Sequence, residues 1–309
     1  MAAYQKLYKT GELEERAKQA RAVLRNCELC PRRCRVDRLQ GETGTCRTAS
    51  EAVVSSHGPH FGEEAPLVGL QGSGTIFFTH CNLRCIFCQN YTISQLGQGR
   101  VVSKGELARM MLSLQQQGCH NINLVSPTHV VPQILEALQI AAGLGLSIPL
   151  VYNCGGYDSV ETLKLLDGII DIYMPDMKYS DERNARRFSG VKDYPRANRE
   201  AVKEMHRQVG DLELDERGVA KRGLLVRHLV LPNGIAGTEG VVRFIAREIS
   251  PNTYLNVMAQ YYPCHRAFKI PSLSRPLTKE EFAEAVKLAR AYGLERLDGV
   301  RPRSLARLL

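Results

Sequence analysis

From Thr75 onward, short apolar runs alternate with longer stretches whose apolar residues recur every three or four positions, the pattern of strands alternating with amphipathic helices. The strand-like runs are 75–79 (TIFFT), 121–125 (NINLV), 148–152 (IPLVY), 169–174 (IIDIYM), 224–231 (LLVRHLVL) and 253–258 (TYLNVM). Helical periodicity fills the intervals at about 104–117, 131–142, 160–167, 181–209 (a longer insertion), 239–249 and 279–292. Two of these helices start at capping boxes, Ser103-x-x-Glu106 and Thr278-x-x-Glu281, in which side chain and backbone satisfy each other's free donors. Six such units joined by short loops predict an α/β fold, a partial (β/α)6 barrel of the TIM type.

Upstream of this body, residues 1 to about 25 read as a helix, 27–46 as a cysteine-rich stretch and Ser55–Gly74 as a Gly- and Pro-rich loop. The expected organisation is an N-terminal helix and metal-binding extension over 1–70, followed by the barrel over 71–309. Barrel chemistry collects at the C-terminal ends of the strands. Each predicted end carries polar or metal-binding residues: the Cys81 group, Ser126-Pro-Thr-His129, Asn153-Cys-Gly-Gly156, Asp176-Met-Lys178, Pro232-Asn-Gly234 and Gln260 to His265. One shared site would draw on all six, although turns are polar in any case.

With 309 residues, 44% hydrophobic and 24% charged, the chain has ample material for a core and is neither disordered nor fibrous in composition. No apolar run is long enough to span a membrane, and the N-terminus lacks the apolar segment of a secretory signal, so a cytoplasmic location is expected. The net charge of +9 is dispersed rather than gathered into one basic block, which argues against nucleic acid as partner and fits a solvated surface or an acidic protein partner.

Ten cysteines in a reducing compartment point to metal ligation rather than disulfides. Seven fall in two groups, Cys27, Cys30, Cys34, Cys46 and Cys81, Cys85, Cys88. Soft thiolates at the density of Cys81-Asn-Leu-Arg-Cys85-Ile-Phe-Cys88 suit an iron-sulfur cluster or zinc. Structural zinc requires a fourth ligand, and none lies nearby. Three ligands on a cubane leave one iron open for catalysis.

This C-x3-C-x-aromatic-C spacing, with Phe87 as the aromatic, resembles the signature of radical S-adenosylmethionine (SAM) enzymes. The flanking Gly72 to His80 and Gln89-Asn90 are similar to the glycyl-radical-enzyme activase branch, and within it to pyruvate formate-lyase activating enzyme-like proteins. The resemblance implies a [4Fe-4S] cluster on Cys81, Cys85 and Cys88, and SAM chelated to the open iron. Reductive cleavage of SAM would give a 5′-deoxyadenosyl radical that abstracts a substrate hydrogen. It also implies a flavodoxin- or ferredoxin-type reductant, and a glycyl radical enzyme or other protein as substrate. Modification of a small molecule, peptide or RNA is the enzymatic alternative. A non-catalytic metal-binding interaction protein is the other.

By the same resemblance, Phe87 packs by the adenine, and Asn153, Asp176, Lys178 and Arg227 contact SAM. Where the family commonly carries Gly-Gly-Glu after the second strand, this chain has Ser126-Pro-Thr128-His, which puts Ser126 and Thr128 in the place of the amino-group ligand. Cys27-x2-Cys30-x3-Cys34-x11-Cys46 is a full four-ligand set. Structural zinc and an auxiliary iron-sulfur cluster both accept it. His60-x-x-Glu63-Glu64 reads as a structural loop cluster before a second metal site. Cys154, Tyr261 and Cys264, at strand ends, are candidates to relay a hydrogen atom, though most such residues only pack.

Overall fold

The structure, a computed structural model, describes residues 2–298. Among the described residues ten strands form one sheet. They are β1 (Ala52–His60), β2 (Ser73–Phe78), β3 (Arg100–Val102), β4 (Ile122–Val125), β5 (Leu150–Cys154), β6 (Ile172–Pro175), β7 (Glu213–Leu214), β8 (Ala220–Leu229), β9 (Tyr254–Met258) and β10 (Leu297–Asp298). Their spatial order is β10-β9-β8-β6-β5-β4-β2-β1-β3, with β7 paired to β8. The six predicted strands are β2, β4, β5, β6, β8 and β9, all mutually parallel, so the α/β reading as a partial barrel holds. The near-continuous burial of β4, β5 and β6 is that of strands covered on both faces.

Helices return the chain between strands: α5 (Lys104–Gln116), α6 (Val131–Gly143), α7 (Val160–Leu165), α8 (Glu182–Ser189), α9 (Tyr194–Val209), α10 (Thr238–Phe244) and α11 (Lys279–Ala291). Before them come α1 (Tyr4–Thr10), α2 (Glu12–Ala22) and two one-turn helices, α3 (Ala65–Val68) and α4 (Tyr91–Ser94). Both capping boxes form as their sequence indicated.

Three local readings are corrected. The expected first helix is two, broken where Gly11 takes φ +79°. The insertion over 181–209 is likewise split into α8 and α9 at Gly190, left-handed with φ +66°. The expected loop over Ser55–Gly74 begins inside a strand, since β1 runs to His60 and pairs antiparallel with β2. Pro59 is tolerated because β3 pairs only with Ala52–Val54 and leaves that end of β1 with one neighbour.

The N-terminus is anchored on the barrel. The Ala3 N–H donates to Asp171 at 2.8 Å, the Tyr4 hydroxyl to the Ile148 carbonyl at 3.1 Å, and Leu13, Ala17 and Ala20 of α2 join the main core. Every one of these contacts falls near the start of β5 or β6 or on the helices, leaving the opposite strand ends to the polar residues.

Candidate active site

The Cys81 loop begins just after β2 and is strapped to the end of α8. The Arg84 N–H donates to the Ser189 carbonyl at 3.1 Å and the Ile86 N–H to that of Phe188 at 2.9 Å. The sulfurs meet hydrogen-bonding groups as well: Cys85 with the Ser189 hydroxyl at 3.0 Å, Cys88 with the Ser94 hydroxyl at 3.1 Å, and Cys81 with the Leu83 N–H at 3.4 Å. Burial pushes the Cys81 thiol up to about 12 and raises that of Cys85. Soft ligands held this way lose their protons when a metal takes their place. The three residues therefore fit a three-thiolate cluster site.

Lys178 joins this site. Its charge acts on the thiols of Cys81 and Cys85, and its ammonium donates to Asp176 at 2.5 Å. The second oxygen of Asp176 accepts from Arg227 Nε at 2.9 Å, and Arg227 Nη2 donates to Asn153 at 2.6 Å. Asn153, Asp176, Lys178 and Arg227 thus form one connected set across β5, β6 and β8. Desolvation works to raise the Asp176 carboxyl, but Arg227 and Lys178 outweigh it and hold the group below the ordinary range.

The backbone beneath this set is fixed from α9. Tyr194 hydroxyl accepts from the Lys178 N–H at 3.0 Å, and Asn198 Nδ2 donates to the carbonyls of Gly156 at 2.9 Å and Asp176 at 3.0 Å. Sequence reasoning passed over Tyr194, Asn198, Ser189 and Ser94. Only the i, i+4 spacing of Tyr194 and Asn198 on a helix next to the Asp176 loop hinted at a shared task.

Other predicted residues fall elsewhere. Thr128 is buried with its hydroxyl facing Tyr152 and Asp158, and Cys154 is in the same network, its thiol turned toward Asp158 inside the main core. Neither belongs to the set around Asp176. Ser126, left-handed at φ +60°, donates its N–H to the Asn153 carbonyl at 2.8 Å and so lies beside the site. Phe87 is buried edge-on against Tyr179 and Tyr261, at 6.4 and 6.1 Å between ring centres. The Tyr261 hydroxyl is engaged by the Leu273 carbonyl at 2.6 Å, whereas Cys264 is partly exposed. Glu63 approaches Arg227 at 3.9 Å, and Glu64 accepts from Asn256 at 2.8 Å with its other oxygen buried and unpartnered.

A cysteine triad at the end of the first parallel strand, with a buried ion set at the ends of three others, is the pattern to which comparison gives a name. The radical SAM superfamily profile matches residues 75–211. The chain belongs to the radical SAM superfamily. It is 34% identical over 297 residues to an uncharacterized protein of Methanocaldococcus jannaschii, covering 93% of this chain and 81% of that one. Among solved structures it is similar to a radical SAM methyltransferase from Sphaerobacter thermophilus, with TM-score 0.50, 17% identity, and coverage of 71% of this chain and 64% of the other. A weaker likeness, TM-score 0.47 and 15% identity over 69% of this chain and 60% of the other, is to the methylornithine synthase PylB. Superfamily membership brings SAM and its cleavage at an iron-sulfur cluster to this chain. Among the described residues no helix is long and apolar enough to cross a membrane.

Proposed function

We propose that this radical SAM protein abstracts a hydrogen atom from a protein substrate, in the manner of a glycyl-radical-enzyme activase. The observation that carries the hydrogen-abstraction part is the juxtaposition of the Cys81 and Cys85 thiols of the triad with Lys178, the end of the Lys178-Asp176-Arg227 ion set. The cluster, which Cys81, Cys85 and Cys88 would hold, would supply with SAM the one-electron reductive cleavage of the sulfonium C–S bond needed for hydrogen abstraction, the electron coming from a flavodoxin- or ferredoxin-type donor.

The chain's own residues bind and orient. Asp176 offers carboxylate oxygens to the SAM ammonium, and Lys178 and Arg227 offer N–H donors to the SAM carboxylate. Their buried ion pairs hold these charges in place before the ligand arrives, which reduces the ordering cost of binding. Phe87, Tyr179 and Tyr261 form an apolar wall beside the cysteine loop that limits water near a reactive intermediate. The activase assignment is supported by the residues flanking the triad, Gly72 to His80 and Gln89-Asn90.

Anaerobic equilibrium binding of SAM to the reconstituted protein and to Lys178→Met tests the assignment of the ion set. An affinity loss of tenfold or more, about 1.4 kcal/mol, is expected. Equal affinity contradicts it.

A further inference from the structure

The four N-terminal cysteines, distant by up to 19 positions in sequence, line a single cavity together with Asn82 and His129. We propose that Cys27, Cys30, Cys34 and Cys46 bind a second [4Fe-4S] cluster, seated directly against the loop that carries Cys81. This inference is independent of the SAM assignment.

The charge balance of the cavity asks for an anion. Arg38 is 1% exposed, donates to the carbonyls of Ala49 and His129, and places Nη1 3.8 Å from the Cys27 sulfur. Among the described residues no carboxylate pairs with it. A buried guanidinium without a counter-ion is costly. Four thiolates around a 2+ cluster give a net charge of about −2 and supply one. A second donor points the same way: Arg32 lines the cavity, its Nε and Nη1 are engaged by the carbonyls of Asn82 and Gly190, and its buried Nη2 has no partner. That free N–H suits a sulfur acceptor.

The sulfurs are already in the accepting role. Thr45 N–H lies 3.5 Å from the Cys34 sulfur, and the Arg32 N–H bonds that of Cys30. The wall leaves no room to spare, since a Cβ on Gly44 would stand 2.6 Å from the Cys34 sulfur.

Spacing separates a cluster from zinc. A tetrahedral zinc site with bonds near 2.3 Å draws its sulfurs to within about 3.8 Å of one another. The four N-terminal cysteines stand around a cavity instead of closing on one point, and a cubane places each thiolate on a different iron across such a space.

The position also couples the two sites. Asn82 lines this cavity and directly follows Cys81, so the wall of the N-terminal site includes the residue next to a ligand of the triad. Arg32 clamps Asn82 from one side, and Arg84, next to Cys85, bonds the Thr45 carbonyl next to Cys46.

The test uses a Cys81→Ala, Cys85→Ala, Cys88→Ala variant of the full chain, which retains only the N-terminal set. Purified and reconstituted anaerobically with iron and sulfide, it should hold about four iron and four sulfide per chain. On reduction with dithionite it should show the EPR signal of a [4Fe-4S]+ cluster, unaltered by added SAM. Wild type should hold about eight iron. A variant of Cys27, Cys30, Cys34 and Cys46 to alanine, or the milder Cys34→Ser should the fourfold change prevent folding, should lower the iron content of wild type without removing the SAM-responsive signal. One zinc per chain and no cluster in the triad variant overturns the proposal, as does the absence of both metals.

Discussion

Asp176 and Arg227 are joined twice. Their side chains meet at 2.9 Å between Oδ1 and Nε, and their backbones form a parallel bridge in which the Met177 N–H donates to the Arg227 carbonyl at 2.7 Å. The ends of β6 and β8 are therefore locked in register at the point where Lys178 turns toward the cysteine loop.

Removing the anion from this arrangement leaves two buried cations facing each other. Asp176→Asn should destabilise the fold by about 3–5 kcal/mol, as for other broken buried ion pairs, and weaken SAM binding as well. The sign of the pH dependence follows from the depressed carboxyl: its contribution is full above the ordinary value of 3.8 and is lost as pH falls through the lower folded-state value. Denaturant titrations of both proteins at neutral and acid pH should show their stabilities approaching each other below about pH 4, and a constant difference would contradict this.

Asp171 has the opposite sign. Burial raises its carboxyl from 3.8 to about 6, although it accepts from the backbone N–H groups of Leu150 and Ala3. Between those values the unfolded chain has lost the proton that the folded chain keeps, so stability falls as pH rises. The variant Asp171→Asn carries no such charge. Its Tm minus that of wild type should therefore increase from pH 4 to pH 7, whatever its starting offset, and thermal melts across that range check it.

Ser189 donates to, or accepts from, both the Cys85 sulfur at 3.0 Å and the Tyr179 hydroxyl at 2.8 Å. Hydrogen bonds to cluster sulfurs set reduction potential. Ser189→Ala should move the potential of the triad's cluster to a more negative value with iron content unchanged. An EPR-monitored potentiometric titration measures this, and an equal potential would show that the hydroxyl does not bond the ligand.

Gly156 has φ +70°, and a Cβ there would lie 2.1 Å from the Asp176 carbonyl oxygen. Gly156→Ala combines a strained backbone, about 1–3 kcal/mol, with displacement of the Asp176 loop. Loss of SAM affinity together with a lowered Tm is expected; an unaffected binding constant would show that the loop is not held by this contact.

Much of this was legible in the sequence, for identifiable reasons. The six parallel strands are buried on both faces and read as apolar runs, and the helices carry a 3.6-residue stripe with clear caps at Ser103 and Thr278. The cysteine spacing announced itself because its ligands are local. What escaped depended on contacts between distant segments. β1 was hidden by Gly58 and Pro59, whose cost vanishes only because β3 is short. Tyr194 and Asn198 look like ordinary residues of a polar helix until α9 is laid beneath the Asp176 loop. Thr128 and Cys154 occupy promising strand ends, but strand alternation turns Cys154 to the face opposite Asn153, and Thr128 packs with it.

The central claim is that Cys81, Cys85 and Cys88 hold a cluster that cleaves SAM. It is tested by incubating the anaerobically reconstituted protein with dithionite and SAM and quantifying 5′-deoxyadenosine beside the Cys81→Ala, Cys85→Ala, Cys88→Ala variant. Formation of 5′-deoxyadenosine by wild type and none by the variant is the predicted result. Equal amounts from both, or none from a fully iron-loaded wild type that also fails to bind SAM, would contradict it.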